Sequence, residues 1–141
     1  MADAWYVEQR NGMLGQWTHS YADLNTDTIK VALRDEGVTA LDLTTHVDLA
    51  DISSSLVGTA QTITSPTIGS VSAGTFDHAD ATWTAVGTSE TIESLDYYKD
   101  SGVASTSPLI MNIDSATGLP LTLNGGNVTW SPNASGVVTL N

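Results

Sequence analysis

The side chains able to do chemistry in this 141-residue chain are three histidines, sixteen carboxylates and four tryptophans, with no cysteine. His19, His46 and His78 each lie near an acid or a hydroxyl, but none stands at a metal-ligand spacing such as His-x-x-x-His. Asp77-His78-Ala79-Asp80 has the composition of a metal corner. The expected structure there is instead a turn whose Asp side chains bind local backbone N–H groups. Asp48 and Asp51 are three apart on an expected helical turn, a spacing open to an acid–base pair. Carboxylates on exposed helix faces are ordinarily just hydrated. Gly125-Gly126 lacks the strand–loop–helix setting and trailing Lys-Ser/Thr of a phosphate loop, and no Gly-x-Ser-x-Gly elbow occurs. Asn127-Val128-Thr129 and Asn133-Ala134-Ser135 match the glycosylation pattern, but with no basic, then apolar, stretch visible at the start, modification there is not expected. No catalytic residue, metal site or cofactor is therefore expected, and the protein is not expected to be an enzyme.

The elements that must position these groups are mostly strands. Ser and Thr together account for 35 residues, and β-branched threonine favours a pleated surface over a helix. With 12 glycines punctuating short segments, the composition predicts an antiparallel β-sandwich or barrel. Ile29, Val31 and Leu33 alternate with Lys30, Ala32 and Arg34, the clearest strand signal. Further strands are expected over residues 58–64, 67–72, 82–86, 90–99, 108–113, 119–123, 128–131 and 137–140. The stretches Asn124-Gly125-Gly126-Asn127 and Asn133-Ala134-Ser135-Gly136 read as tight hairpin turns between the last three. Thr45 is expected to cap a short helix through Val47, Leu49 and Ile52. The expected core includes Ile29, Val31, Leu33, Trp83, Leu95, Ile110, Leu121 and Val128; Trp83 and Trp130, inside strands, are read as core residues.

The first residues break the β pattern. Asp3 is expected to cap a helix through Trp5 to Leu14 that Gly15 ends. Tyr6, Arg10, Met13 and Trp17 then recur at helical spacing and gather aromatic and sulfur groups on one side. Two readings stand: the helix packs on its own sheet, or residues 1–26 form an arm that docks on another subunit while residues 27–141 form the β domain. On the second reading Trp5, Tyr6, Met13 and Trp17 are the partner contacts, and removing residues up to Gly15 leaves a folded domain that no longer docks.

Charge narrows the partners. Four basic residues against sixteen acidic ones give a net charge of −12. Nucleic-acid binding rests on cations that displace counterions from phosphates, so neither DNA or RNA nor an acidic membrane surface is an expected partner. No apolar run reaches the roughly 18 residues of a membrane span.

Several segments resemble a family of small virion proteins of tailed bacteriophages. They are Asp27-Thr28-Ile29-Lys30-Val31-Ala32-Leu33, residues 46–52, and Phe76-Asp77 leading to Thr82-Trp83-Thr84-Ala85-Val86. Tyr98-Lys99-Asp100-Ser101-Gly102, Ser107-Pro108-Leu109-Ile110, Ile113-Asp114-Ser115-Ala116-Thr117-Gly118-Leu119-Pro120 and Asn124-Gly125-Gly126 complete the set, which covers most of the chain. These are turns and strand edges, so they speak to kinship before mechanism. The chain departs from the pattern by more Ser and Thr between Ser53 and Ser72. The resemblance implies a capsid cement or decoration protein that stabilises the head shell. It implies a place on the head exterior after synthesis in the host cytoplasm, and as partners the major capsid protein and further copies of the chain, as a trimer. A neck or tail adaptor is the alternative within the virion, and a carbohydrate-binding β-sandwich module the alternative outside it. Exposed tryptophans would favour sugar binding; buried Trp83 and Trp130 would favour assembly.

Overall fold

The computed structural model describes residues 4–15, 22–69 and 74–139. The protein is mainly β, as its composition predicts. The chain runs through β1 (Ala4–Trp5), α1 (Val7–Met13), β2 (Ile29–Arg34), α2 (Leu49–Ile52) and β3 (Leu56–Thr62). It continues through β4 (Thr67–Ile68), β5 (Thr75–Asp77), β6 (Ala81–Trp83), β7 (Thr91–Ile92) and β8 (Ser94–Lys99). It ends with β9 (Leu109–Ile113), β10 (Leu121–Thr122), β11 (Val128–Trp130) and β12 (Val138–Thr139). One five-stranded antiparallel sheet, in the order β1-β9-β8-β2-β3, organises the rest. A three-stranded sheet (β12-β5-β4) and two ribbons (β10-β7 and β11-β6) complete the β structure.

Alternation along β2 and β8 sends Ile29, Val31, Leu33, Leu95 and Tyr97 to one face of the large sheet, where they meet Phe76, Trp83, Ile92 and Leu123 in the main core. Between β8 and β9 the register shifts: Tyr97 faces Met111 and Tyr98 faces Leu109, leaving Ile110 as an extra, buried residue. Six of the eight expected core residues are buried. Leu121 and Val128 are half-buried at its margin.

The other face is not solvent either. Tyr6, Ala32, Ile52, Tyr98 and Leu109 form a second apolar cluster beneath Leu41, Leu43, Leu49 and Leu56. Strands covered on both faces lose the polar half of their alternation, and here that half includes a charge. Arg34 and Asp96 are fully buried and paired, with Arg34 Nη1 3.1 Å from Asp96 Oδ2. The Tyr6 hydroxyl donates to Asp96 Oδ1 at 2.7 Å, and Asn112 Nδ2 donates to the same oxygen at 3.1 Å. Arg34 Nη2 donates to the carbonyls of Thr39 and Ala40, tying the following loop to the sheet. Burial raises the Asp96 carboxyl above its ordinary value, against the pull of the Arg34 guanidinium and the Tyr6 and Asn112 donors.

The division into an arm over 1–26 and a β domain over 27–141 is corrected by these placements. β1 pairs with β9, Trp5 opposite Met111, and the sheet therefore begins at Ala4 and not near Thr28. Tyr6 is buried in the second cluster and Ala22 in the main core. The expected terminal hairpins are also corrected. The turns at 124–127 and 133–136 are present, but β10 pairs with β7, β11 with β6 and β12 with β5. Each strand of the last third reaches back to an earlier partner. The turn before β12 needs Gly136: its φ is +92°, and a Cβ there would collide with Thr75 Cγ2 and lie 2.9 Å from the Phe76 carbonyl oxygen.

The short helix starts later than expected. Asp48, not Thr45, caps α2 in a reciprocal capping box, with Asp51 Oδ2 accepting from the N–H groups of Val47 and Asp48 at 2.8 and 3.0 Å. The Asp48/Asp51 spacing thus serves a helix start. Asp42 organises the turn just before it. Its carboxylate takes hydrogen bonds from the Thr45 hydroxyl and from the N–H groups of Thr45 and Thr44, which lower its pKa to about 2.

Candidate functional site

The residues expected to meet a partner divide between the two sides of β1. Trp5 belongs to that strand and is half-buried against the main core. Tyr6 precedes α1 with extended backbone angles (φ −59°, ψ 145°) and points into the second cluster, where it serves Asp96. It is therefore corrected from partner contact to core residue. The reason is local: helical spacing holds only from Val7 onward, so Tyr6 and Met13 do not share a face. Met13, at the end of α1, is 38% exposed. Trp17 lies outside the described residues, as do Asp3 and His19.

Trp5 and Met13 do come together. With Gln9, Leu24 and Ile68 they wall a groove of about 240 Å³ between α1 and β4, with Asp23 at its border. Ile68 is 52% exposed, and Leu14, next along the chain from Met13, is 86% exposed. Large apolar side chains so placed on one side of a domain are characteristic of surfaces that meet another molecule. The bordering Asp23 carboxyl is held below its ordinary value by hydrogen bonds from the Asn25 N–H and from Thr26, so it stays ionised. Leu24 and Ile68 lie in segments without helical period, so the sequence does not mark them as neighbours of α1.

Among the described residues, three cations are seen in ion pairs. Arg34 is with Asp96, Lys30 Nζ lies 2.7 Å from Asp100 Oδ2, and Lys99 Nζ lies 2.9 Å from Asp27 Oδ2. Among the described residues, no group of three or more His, Asp or Glu side chains is placed to hold a metal ion. No described helix is long and apolar enough to cross a membrane.

The Asp77 region holds a buried polar chain. Asp77 Oδ1 accepts from the His78 N–H at 2.8 Å, the local satisfaction expected of an Asp in a turn. The His78 ring itself is buried against Phe76 and Tyr97. Its Nδ1 lies 2.6 Å from the Ala79 carbonyl, which can only accept, so Nδ1 carries the proton and Nε2 accepts from the Tyr97 hydroxyl at 2.7 Å. Tyr97 in turn accepts from Trp130 Nε1 at 2.6 Å. A second proton on His78 would set two donors against the Tyr97 oxygen, and burial already lowers the pKa of His78 below 6.5. The unfolded chain thus takes up this proton more readily than the folded one. Stability is complete above about pH 6.5 and falls as the pH drops below it. Urea denaturation is expected to show stability falling as the pH drops from about 7.5 to about 5.5. A slope unchanged in His78→Gln would show that other groups cause it.

The chain matches no family model and no curated protein.

Proposed function

We propose that the protein is a structural component of a tailed-phage virion, a cement protein that docks on the head shell through the groove between α1 and β4. The observation that carries this reading is the gathering of Trp5, Met13, Leu24 and Ile68 around one groove, with Leu14 exposed nearby. The resemblance of its turn and strand segments to small virion proteins supports it. So does the charge: a shell-decorating protein lies away from packaged DNA and has no use for free cations, and here Arg34, Lys30 and Lys99 are paired internally. The occupant of the groove is a segment of the major capsid protein. A second copy is the poorer fit, because each chain brings a charge of −12 to the contact.

Met13→Glu combined with Ile68→Glu tests the reading at positions the core does not need. Substitution of exposed side chains generally shifts stability by within about 0.5 kcal/mol, so the melt is expected to stay put. Capsid binding is expected to weaken by about 2 kcal/mol or more, through loss of apolar burial at the centre of the contact. The readout is densitometry of purified particles after reconstitution with wild-type or variant protein. Full occupancy by the double variant would exclude the groove as the docking surface. Binding at only a few sites per particle would favour a neck or tail position.

A further inference from the structure

Separate from the docking groove, and sharing no residue with it, a cleft of about 410 Å³ opens between the residues that follow β9 and the turn before β12. Its size falls within the roughly 300–1,000 Å³ usual for small-molecule sites. The Trp130 indole lines it, together with Thr117, Thr129, Ser131 and Asn133. A smaller cavity of about 140 Å³ shares Ala116, Thr117, Thr129 and Trp130 with it and is otherwise walled mainly by aliphatic side chains such as Leu119, Leu121 and Val128.

We propose that this cleft is a binding site for a neutral oligosaccharide. A sugar ring offers an apolar C–H face and a periphery of hydroxyls, and the cleft offers the matching pair. An indole supplies a rigid apolar platform, and threonine, serine and asparagine side chains around it donate and accept hydrogen bonds. Among the described residues no ionisable side chain lines the cleft, and a protein of charge −12 repels anions, so the ligand is uncharged. The platform is fixed before any ligand arrives: Trp130 Nε1 is bonded to Tyr97, and Tyr97 to His78, deep in the core. Asn133 Oδ1 accepts from the Ser135 N–H at 2.9 Å, which leaves the amide NH₂ group as the donor available to a ligand. Gly136 fixes the path of the same turn. The aliphatic cavity beyond Trp130 extends the platform for a second ring. Such preorganisation spares a ligand the cost of ordering its site.

The test is titration of the full chain with cellotriose, maltotriose, mannotriose and tri-N-acetylchitotriose, followed by tryptophan fluorescence and calorimetry. At least one is expected to bind with a Kd of about 1 mM or tighter and to change the fluorescence. Trp130→Ala is expected to weaken that binding about tenfold or more, and Asn133→Ala by a smaller factor with the melting temperature retained. If Trp130→Ala does not fold, Thr117→Arg carries the same test, because it fills the cleft from an exposed position. Failure of all four sugars to bind, or binding unchanged in both Asn133→Ala and Thr117→Arg, would overturn the proposal. Met13→Glu with Ile68→Glu leaves sugar binding intact, which separates this site from the docking groove.

Discussion

Asp96→Ala is expected to destabilise the protein by about 3–5 kcal/mol, the usual cost of stripping one partner from a buried ion pair. Single domains are stable by only about 5–15 kcal/mol, so much of the native margin would go. The guanidinium of Arg34 would be left buried without its carboxylate, and its Nη2 is already committed to the carbonyls of Thr39 and Ala40. The Tyr6 hydroxyl and Asn112 amide would lose their acceptor at the same time. Asp96→Asn restores an acceptor oxygen but not the charge, and should recover only a fraction of the loss. Replacing both ions by apolar residues, as in Arg34→Met with Asp96→Leu, should be milder than Asp96→Ala alone, since no uncompensated charge remains. Urea denaturation of the single and double variants measures the coupling directly. A cost below about 1 kcal/mol for Asp96→Ala would mean that water or a rearranged loop takes over the guanidinium.

Deleting residues up to Gly15 is expected to abolish cooperative unfolding altogether. The deletion removes the strand that covers the edge of β9, the Tyr6 ring that fills the second cluster, and the hydroxyl that serves Asp96. Truncating a buried aromatic side chain alone costs about 3–5 kcal/mol. This forecast reverses the one that an independent arm would make. Graded variants separate the contributions: Tyr6→Phe removes only the buried hydrogen bond and should cost about 1–3 kcal/mol, whereas Tyr6→Ala also opens a cavity. A truncated protein that melts cooperatively within a few degrees of the full chain would restore the arm. Because the deletion disturbs folding, docking is better probed at Met13 and Ile68 than by truncation.

What can be read from the residues alone follows from how local each determinant is. β2, β8 and β9 are long enough for alternation and β-branched content to register, and their positions agree with expectation to within a few residues. β1 and β5 are two and three residues long and carry no period to detect. Turn chemistry at Asn124-Gly125-Gly126-Asn127 locates the bend, since Asn124 Oδ1 accepts from the Gly126 N–H within the turn itself. It cannot name the strands' partners, because those lie in β6 and β7, well back along the chain. The burial of Arg34 is not legible because alternation separates two faces without saying that both are covered. A base at the end of one largely apolar strand and an acid inside the neighbouring one are the available sign. At the groove, helical spacing marks Met13 but not Trp5, which lies in a strand; the same spacing misplaces Tyr6. Trp130 lies between these outcomes: its core side is bonded to Tyr97, as a core residue's would be, and its other side lines a cleft.

The order of the large sheet also sets a timetable for synthesis. β1 and β2 leave the ribosome first; β2 gains β3 on one edge by Thr62, but β9 for β1 and β8 for the other edge of β2 are completed only by Ile113 and Lys99. At roughly 5–20 residues per second, Trp5 and Tyr6 wait for seconds to tens of seconds before their partners exist. The large sheet cannot be completed early, and the closing of such long loops makes the later collapse slow as well. Throughout that delay the unpaired edge of β2 and the apolar residues around it are open to pairing with other nascent chains. Production at high rate should therefore favour inclusion bodies, and slower translation or a holding chaperone should improve the yield more than any change to the finished surface.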